Sequence, residues 1–284
     1  RSRRAKGRLD VHEQLLWNSV NQYVKKDLDS SPRSRKGLTL VFVHPIGCIK
    51  EVQPLIWRLL KLPAGRDVEE IWAWEAVDTE DSPLLDEGKL NQMSDWYNSA
   101  RDFLHFFLHY LTFQVTSDTL PTHLPCVSAT EFQQRIDQGF SDRQIVAIGH
   151  SFGRNVCAQS CYTYPRLFSA LVLADPGIVK RNHPTLKCTI TFLAQFGFSQ
   201  INSWKSRSPS FTPWHPDAFK IYVESSLHSD PQSGKVHLKL HPIYEALANI
   251  NAKETSEVMY EKLPSLDGRV YIKWVMPDPK KGGG

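Results

Sequence analysis

The chain is predicted to fold as an α/β protein, a doubly wound and mostly parallel sheet carrying an inserted cap. Three observations carry that expectation. Short apolar, β-branched runs at Leu38 to Val43, 144–148 and 171–174 suit strands covered on both faces. Segments with apolar residues at helical spacing separate them and return each strand to the same side. The 284 residues, 41% apolar and 23% charged, suffice for one large core that needs no covalent staples.

Taken in order, residues 1–36 hold a basic N-terminal tail and a first, antiparallel strand at 15–24. Residues 37–179 form the core. In it, Leu38 to Val43 is a buried strand, 51–62 a helix through Val52, Leu55, Ile56, Leu59 and Leu60, and 68–77 a second core strand. Residues 78–88 read as a loop. Between Asp67 and Asp102 there are eleven acids and two bases, which reads as solvated loops with a locally negative face. Tyr97, Ala100, Phe103, Leu104, Phe107, Leu108 and Leu111 follow the 3.6-residue period and predict a helix over 96–111. Residues 112–140, polar and broken by Pro121 and Pro125, read as an excursion outside the core. Residues 180–242 break the β/α rhythm with Pro, Ser and large aromatics (Phe196, Phe198, Trp204, Phe211, Trp214, Phe219, Tyr222) and read as a cap. The block 243–284 returns to the core with a short helix at 255–263 and a strand at 269–275.

Charge and cysteine usage narrow the function. The net charge is +4, yet residues 1–36 hold ten bases and four acids, so the surplus belongs to the tail. No basic face continues into the body, and nucleic acid is not an expected partner. No window approaches about 18 uninterrupted apolar residues, and no membrane association is expected. Cys48, Cys126, Cys157, Cys161 and Cys188 are odd in number, irregularly spaced and preceded by no apolar signal segment, which fits reduced thiols in a cytoplasmic or peroxisomal protein. Cys157 and Cys161 stand i, i+4 on a helix without further ligands at metal spacing, so they read as core residues, and neither metal nor cofactor is expected.

The chemistry concentrates at Gly149-His-Ser-Phe-Gly153, which follows a buried strand and opens a helix. A serine at so tight a turn is held out above the carboxyl edge of the sheet. Glycines flank it because a Cβ at 149 or 153 would strike the neighbouring helix or strand. Ser151 is the candidate nucleophile. A serine attacking a carbonyl needs donors for the developing oxyanion. The Phe152 amide supplies one, and His44-Pro-Ile-Gly47, directly after an earlier strand, supplies the second from Ile46.

These segments resemble the α/β-hydrolase superfamily. More narrowly, His44-Pro-Ile-Gly-Cys-Ile-Lys-Glu51, Ile71-Trp-Ala-Trp-Glu-Ala-Val77, Asp95-Trp96, Arg101-Asp102 and Tyr164-Pro-Arg-Leu-Phe168 resemble fungal hydrolases typified by peroxisomal toxin-biosynthesis proteins. The resemblance implies a Ser–acid–His order. It offers Asp175, after 171–174, or Asp278, after the last strand, as the acid. Asp175 is preferred because Asp278 lies in a Pro/Lys/Gly tail. No histidine follows His241, and the resemblance implies that the C-terminal end is truncated before a final strand and histidine loop. His150 is expected to face inward as a structural residue, while His215, His228, His237 and His241 lie in or near the cap. Arg154 departs from the small residue usual there and either touches a substrate carboxylate or points to solvent.

The resulting expectation is a serine hydrolase that opens an ester, thioester or similar acyl bond of a medium-sized apolar small molecule through an acyl-enzyme on Ser151. Its rival is a catalytically silent protein of the same fold with a binding role.

Overall fold

Alternate residues of β2 (Leu38–Val43) serve two different cores, which is why the run is apolar throughout. Leu40 and Phe42 pack with Ile56 of α1 (Gln53–Leu60) on one face. Val41 and Val43 enter the larger cluster on the other face, built with α3 (Trp96–His105) and α5 (Phe152–Thr163). Each such fully buried side chain contributes about 1.5–3 kcal/mol. The computed structural model describes residues 15–26, 28, 37–47, 50, 52–79, 81–86, 88–90, 95–175, 177–184, 215–229, 234, 236–240, 242–276 and 278. The basic tail, Cys48, Cys188, His241 and the cap aromatics Phe196, Phe198, Trp204, Phe211 and Trp214 lie outside them.

Among the described residues the main sheet has six strands. With β1 (Val20–Val24), β3 (Val68–Trp74), β4 (Gln144–His150), β5 (Ala170–Ala174) and β8 (Tyr271–Val275), the order is β1-β3-β2-β4-β5-β8. Only the β1–β3 pair is antiparallel among these. The parallel register, Val43 opposite both Trp74 and Gly149, brings the carboxyl ends of β2, β3 and β4 to one edge. A short hairpin of β6 (Leu227–Ser229) and β7 (Val236–Leu238) lies apart from this sheet, after α6 (Pro216–Ser225). It is followed by α7 (Pro242–Ile250) and α8 (Ala252–Lys262), the latter close to the helix expected at 255–263.

Three expectations need correction. The helix expected over 96–111 is α-helical only to His105. Phe106–Tyr110 widens into a π turn closed by the Leu111 amide donating to the Phe106 carbonyl at 2.9 Å. Residues 112–140 are not an excursion. They contain α4 (Ala129–Gln138), opened by a Ser128/Glu131 capping box, and Arg135 on this helix is buried, donating to the carbonyls of Phe107 and Leu111 at 2.8 and 2.7 Å. The acidic stretch is not a solvated face either. Glu70, Glu75, Asp78 and Asp86 are buried. Glu70 pairs with Arg143, both side chains fully out of solvent, and Asp86, at the end of the short α2 (Ser82–Leu85), accepts the Trp17 amide through both oxygens at 3.1 and 2.9 Å. These acids tie the β1 segment to the sheet, because a buried carboxylate must find donors.

Candidate functional site

The strand-to-helix turn is as tight as the sequence requires. Ser151 sits at φ 51°, ψ −114°, a left-handed backbone position that a non-glycine residue occupies only when its surroundings enforce it. They do so from two sides. A Cβ at Gly149 would lie 2.4 Å from the Arg154 amide nitrogen, so β4 and the first turn of α5 touch at that point. A Cβ at Gly153 would lie 2.0 Å from the Val43 carbonyl oxygen and 3.0 Å from that of His44, so α5 begins against the end of β2. The Ser151 amide donates to the Ala174 carbonyl at 3.2 Å and locks the apex to β5. Its hydroxyl makes no capping bond to α5, and the side chain is partly exposed.

Phe152 follows this apex directly in the chain, and Ile46 lies on the turn after β2. Phe152 is buried, and its amide is the first of α5, with no intrahelical acceptor. Its ring meets Trp96 edge-on at 5.1 Å, which fixes the start of the helix. Ile46 occupies the turn directly after β2 and packs on the main core, and Gly47 follows at φ 77°. The Gly153 contact with Val43 and His44 sets this turn beside the serine.

Asp175 stands at the end of β5 with φ 53° and an exposed side chain. Its amide donates to Val275 at 3.0 Å, and its carbonyl accepts from the Gly177 amide at 3.0 Å, so a second strained turn adjoins the first. Asp278 is exposed beyond β8.

Two expectations for neighbouring residues are overturned. Arg154 does not point to solvent. It is 3% exposed, its guanidinium lies against Gly177, and its Nε has no hydrogen-bond partner. Desolvation pulls its pKa down to about 10, with the nearby Asp175 charge opposing. His150 does not face inward; the burial alternation of β4 leaves it exposed. His44 is buried at the start of the turn after β2, and His215 caps α6 with its Nε2 2.9 Å from Nη2 of Arg58. His237 is exposed on β7.

One residue beside the turn after β2 was not anticipated from the sequence. Glu245, on α7, presses its carboxyl onto Gly47: a Cβ there would meet Oε1 at 2.7 Å and Oε2 at 3.5 Å. Desolvation raises this carboxyl to about 7. α7 is held over the site by a second contact, Trp96 Nε1 donating to the Ala248 carbonyl at 3.0 Å. Nothing local in the sequence marks Glu245, since its meeting with Gly47 is purely tertiary.

The chain has the α/β-hydrolase fold: a mostly parallel sheet, flanking helices, and a strand–serine–helix elbow at the carboxyl edge. It aligns with the peroxisomal α/β-hydrolase Lpx1 of Saccharomyces cerevisiae at a TM-score of 0.61, with 15% identity, over 91% of this chain and 74% of that one. Among curated sequences it is 29% identical to the type I acyl-CoA thioesterase mpaH of Penicillium brevicompactum over 94% of this chain and 64% of that protein. It is 31% identical to the abhydrolase domain-containing protein ACTT2-1 of Alternaria alternata, over 31% of this chain and 36% of that protein. The chain spans 34% to 64% of the length of the Penicillium relatives it matches. No family model matches the sequence. Among the described residues, no helix is long and apolar enough to cross a membrane, and no group of three or more His, Cys, Asp or Glu residues is placed to hold a metal ion.

Proposed function

We propose that the chain is a serine hydrolase that cleaves an acyl bond of a medium-sized apolar substrate, through an acyl-enzyme on Ser151. The observation that carries this reading is the Ser151 backbone, strained at φ 51° so that a hydroxyl not engaged in capping stands at the mouth of α5. Maintaining such a conformation costs about 1–3 kcal/mol, which is out of place in a turn with only a structural task. In this reading Ser151 Oγ attacks the carbonyl carbon, the carbonyl electron pair moves onto oxygen, and the hydroxyl proton ends on the departing alcohol or thiol as the carbonyl re-forms. The Ile46 and Phe152 amides receive that charge, the alcohol or thiol leaves, and water later releases the acid. Asp175 is the acid of the site. The name of the Penicillium relative, an acyl-CoA thioesterase, supports a thioester as the first substrate class to assay.

The test is labelling by a fluorophosphonate probe. Wild-type protein is expected to become labelled, and Ser151→Ala to lose the label while keeping the same melting temperature. Folded wild-type protein that takes no label would establish the catalytically silent alternative instead.

A further inference from the structure

We propose that the Glu245 carboxyl is a third polar group of the acyl site, donating a hydrogen bond from its protonated form to the substrate's carbonyl oxygen. This deepens the serine-hydrolase reading and rests on it.

The placement comes first. The carboxyl fills the space a side chain at position 47 would occupy, on the turn that carries the Ile46 amide. The helix that carries it is fixed by two contacts to its backbone. Asn249 Nδ2 donates to the Glu245 carbonyl at 2.9 Å within α7, and Trp96 joins Ala248 of α7 to the Phe152 ring. Glu245 and Ala248 are three residues apart and so share one helix face, which spans from the oxyanion turn to the start of α5. The segment before α7 is itself tethered, because Lys239 and Lys50 both pair with Asp81.

The chemistry then decides between donor and acceptor. A carboxylate beside an oxyanion turn would oppose the negative charge that turn must collect, whereas a neutral carboxyl offers one O–H. Loss of water favours the neutral form. The ionisable groups on the surrounding elements are His44 on the turn, Asp95 and Tyr97 at the start of α3, Lys253 and Glu254 on α8, and the Lys50–Asp81–Lys239 cluster. None of them is a cause of the Glu245 shift, which is desolvation alone and leaves the carboxyl about half protonated at pH about 7. The group is therefore a donor in neutral and acid solution and ceases to be one above it.

The experiment measures fluorophosphonate labelling rates of Ser151 across pH in wild type, Glu245→Gln and Glu245→Ala, with melting temperatures alongside. Dividing the Gln rate by the wild-type rate cancels every other titration. That ratio is expected to stay near one below pH about 7 and to rise above it, because the amide still donates where the carboxyl has ionised. Glu245→Ala is expected to label about 10²-fold more slowly below that pH. A Gln/wild-type ratio that does not change with pH, or Glu245→Gln as slow as Glu245→Ala, overturns the proposal while leaving Ser151 in place; the second result would make the carboxylate a base. Wild-type protein that takes no label overturns the serine reading, and the Glu245 role falls with it.

Discussion

Replacing Gly153 by alanine tests the elbow without touching any reacting atom. The added methyl would lie 2.0 Å from the Val43 carbonyl oxygen and 2.6 Å from its carbon, both backbone atoms of a central strand. Restoring an ordinary contact of 3.4 Å requires a relative movement of about 1.4 Å between α5 and β2. Overpacking of this kind typically costs about 1–3 kcal/mol, which in a chain this size lowers the melting temperature by roughly 3–10 °C. The larger effect should fall on chemistry, because the movement separates the Phe152 amide from the turn holding Ile46. A misplacement of about 1 Å can cost on the order of 10²-fold in rate. Thermal denaturation and fluorophosphonate labelling of Gly153→Ala report the two effects separately. A protein that melts and labels like wild type would refute the proposal that this contact sets the spacing of the Phe152 amide and the turn holding Ile46. The same would hold if labelling fell only in proportion to the unfolded fraction.

Glu70→Leu should be among the most damaging surface-distant changes. It strands the fully buried Arg143 guanidinium, an error costing about 3–5 kcal/mol, visible as a fall in melting temperature on the order of 10 °C. Arg154→Met should do the reverse. The guanidinium is held at about 10 against an ordinary 12.5, so keeping it charged at neutral pH costs roughly 3 kcal/mol. That cost is fully present below the folded value and is relieved as pH rises through about 10, so the variant's gain in stability should shrink over that range. If stability rises while Ser151 labelling falls, the buried cation is kept for the site rather than for the fold.

Much of the sheet was legible because its strands are covered on both faces, which leaves uninterrupted apolar runs that no loop tolerates. The elbow was legible for a related reason: Gly149 and Gly153 are where backbone meets backbone, and only the absence of a side chain permits it. The acidic stretch was misread because counting charge along the chain presumes that each charge faces water. Glu70 finds Arg143, and Asp86 finds Trp17, at separations that local composition cannot register. α4 was a different kind of miss. Its Ser128-x-x-Glu131 signal is local and complete, but the stretch before it, broken by Pro121 and Pro125, carries no helical periodicity.

The site itself divides along the same line. Ser151, Ile46, Phe152 and Asp175, the residues proposed for the site, all lie at turns on strand ends, so short motifs announce them. Arg154 and Glu245 take their properties from what has been packed around them. Asp175 and Glu245 are both carboxyl side chains, yet Asp175 is exposed while Glu245, half-buried against Gly47, is partly desolvated and its pKa raised. A residue type fixes what a group can do, and its solvation fixes which protonation state does it. That second variable is created only when α7 folds across the turn after β2, so the protonation of Glu245 is a tertiary property even where the elbow at Ser151 is a local one.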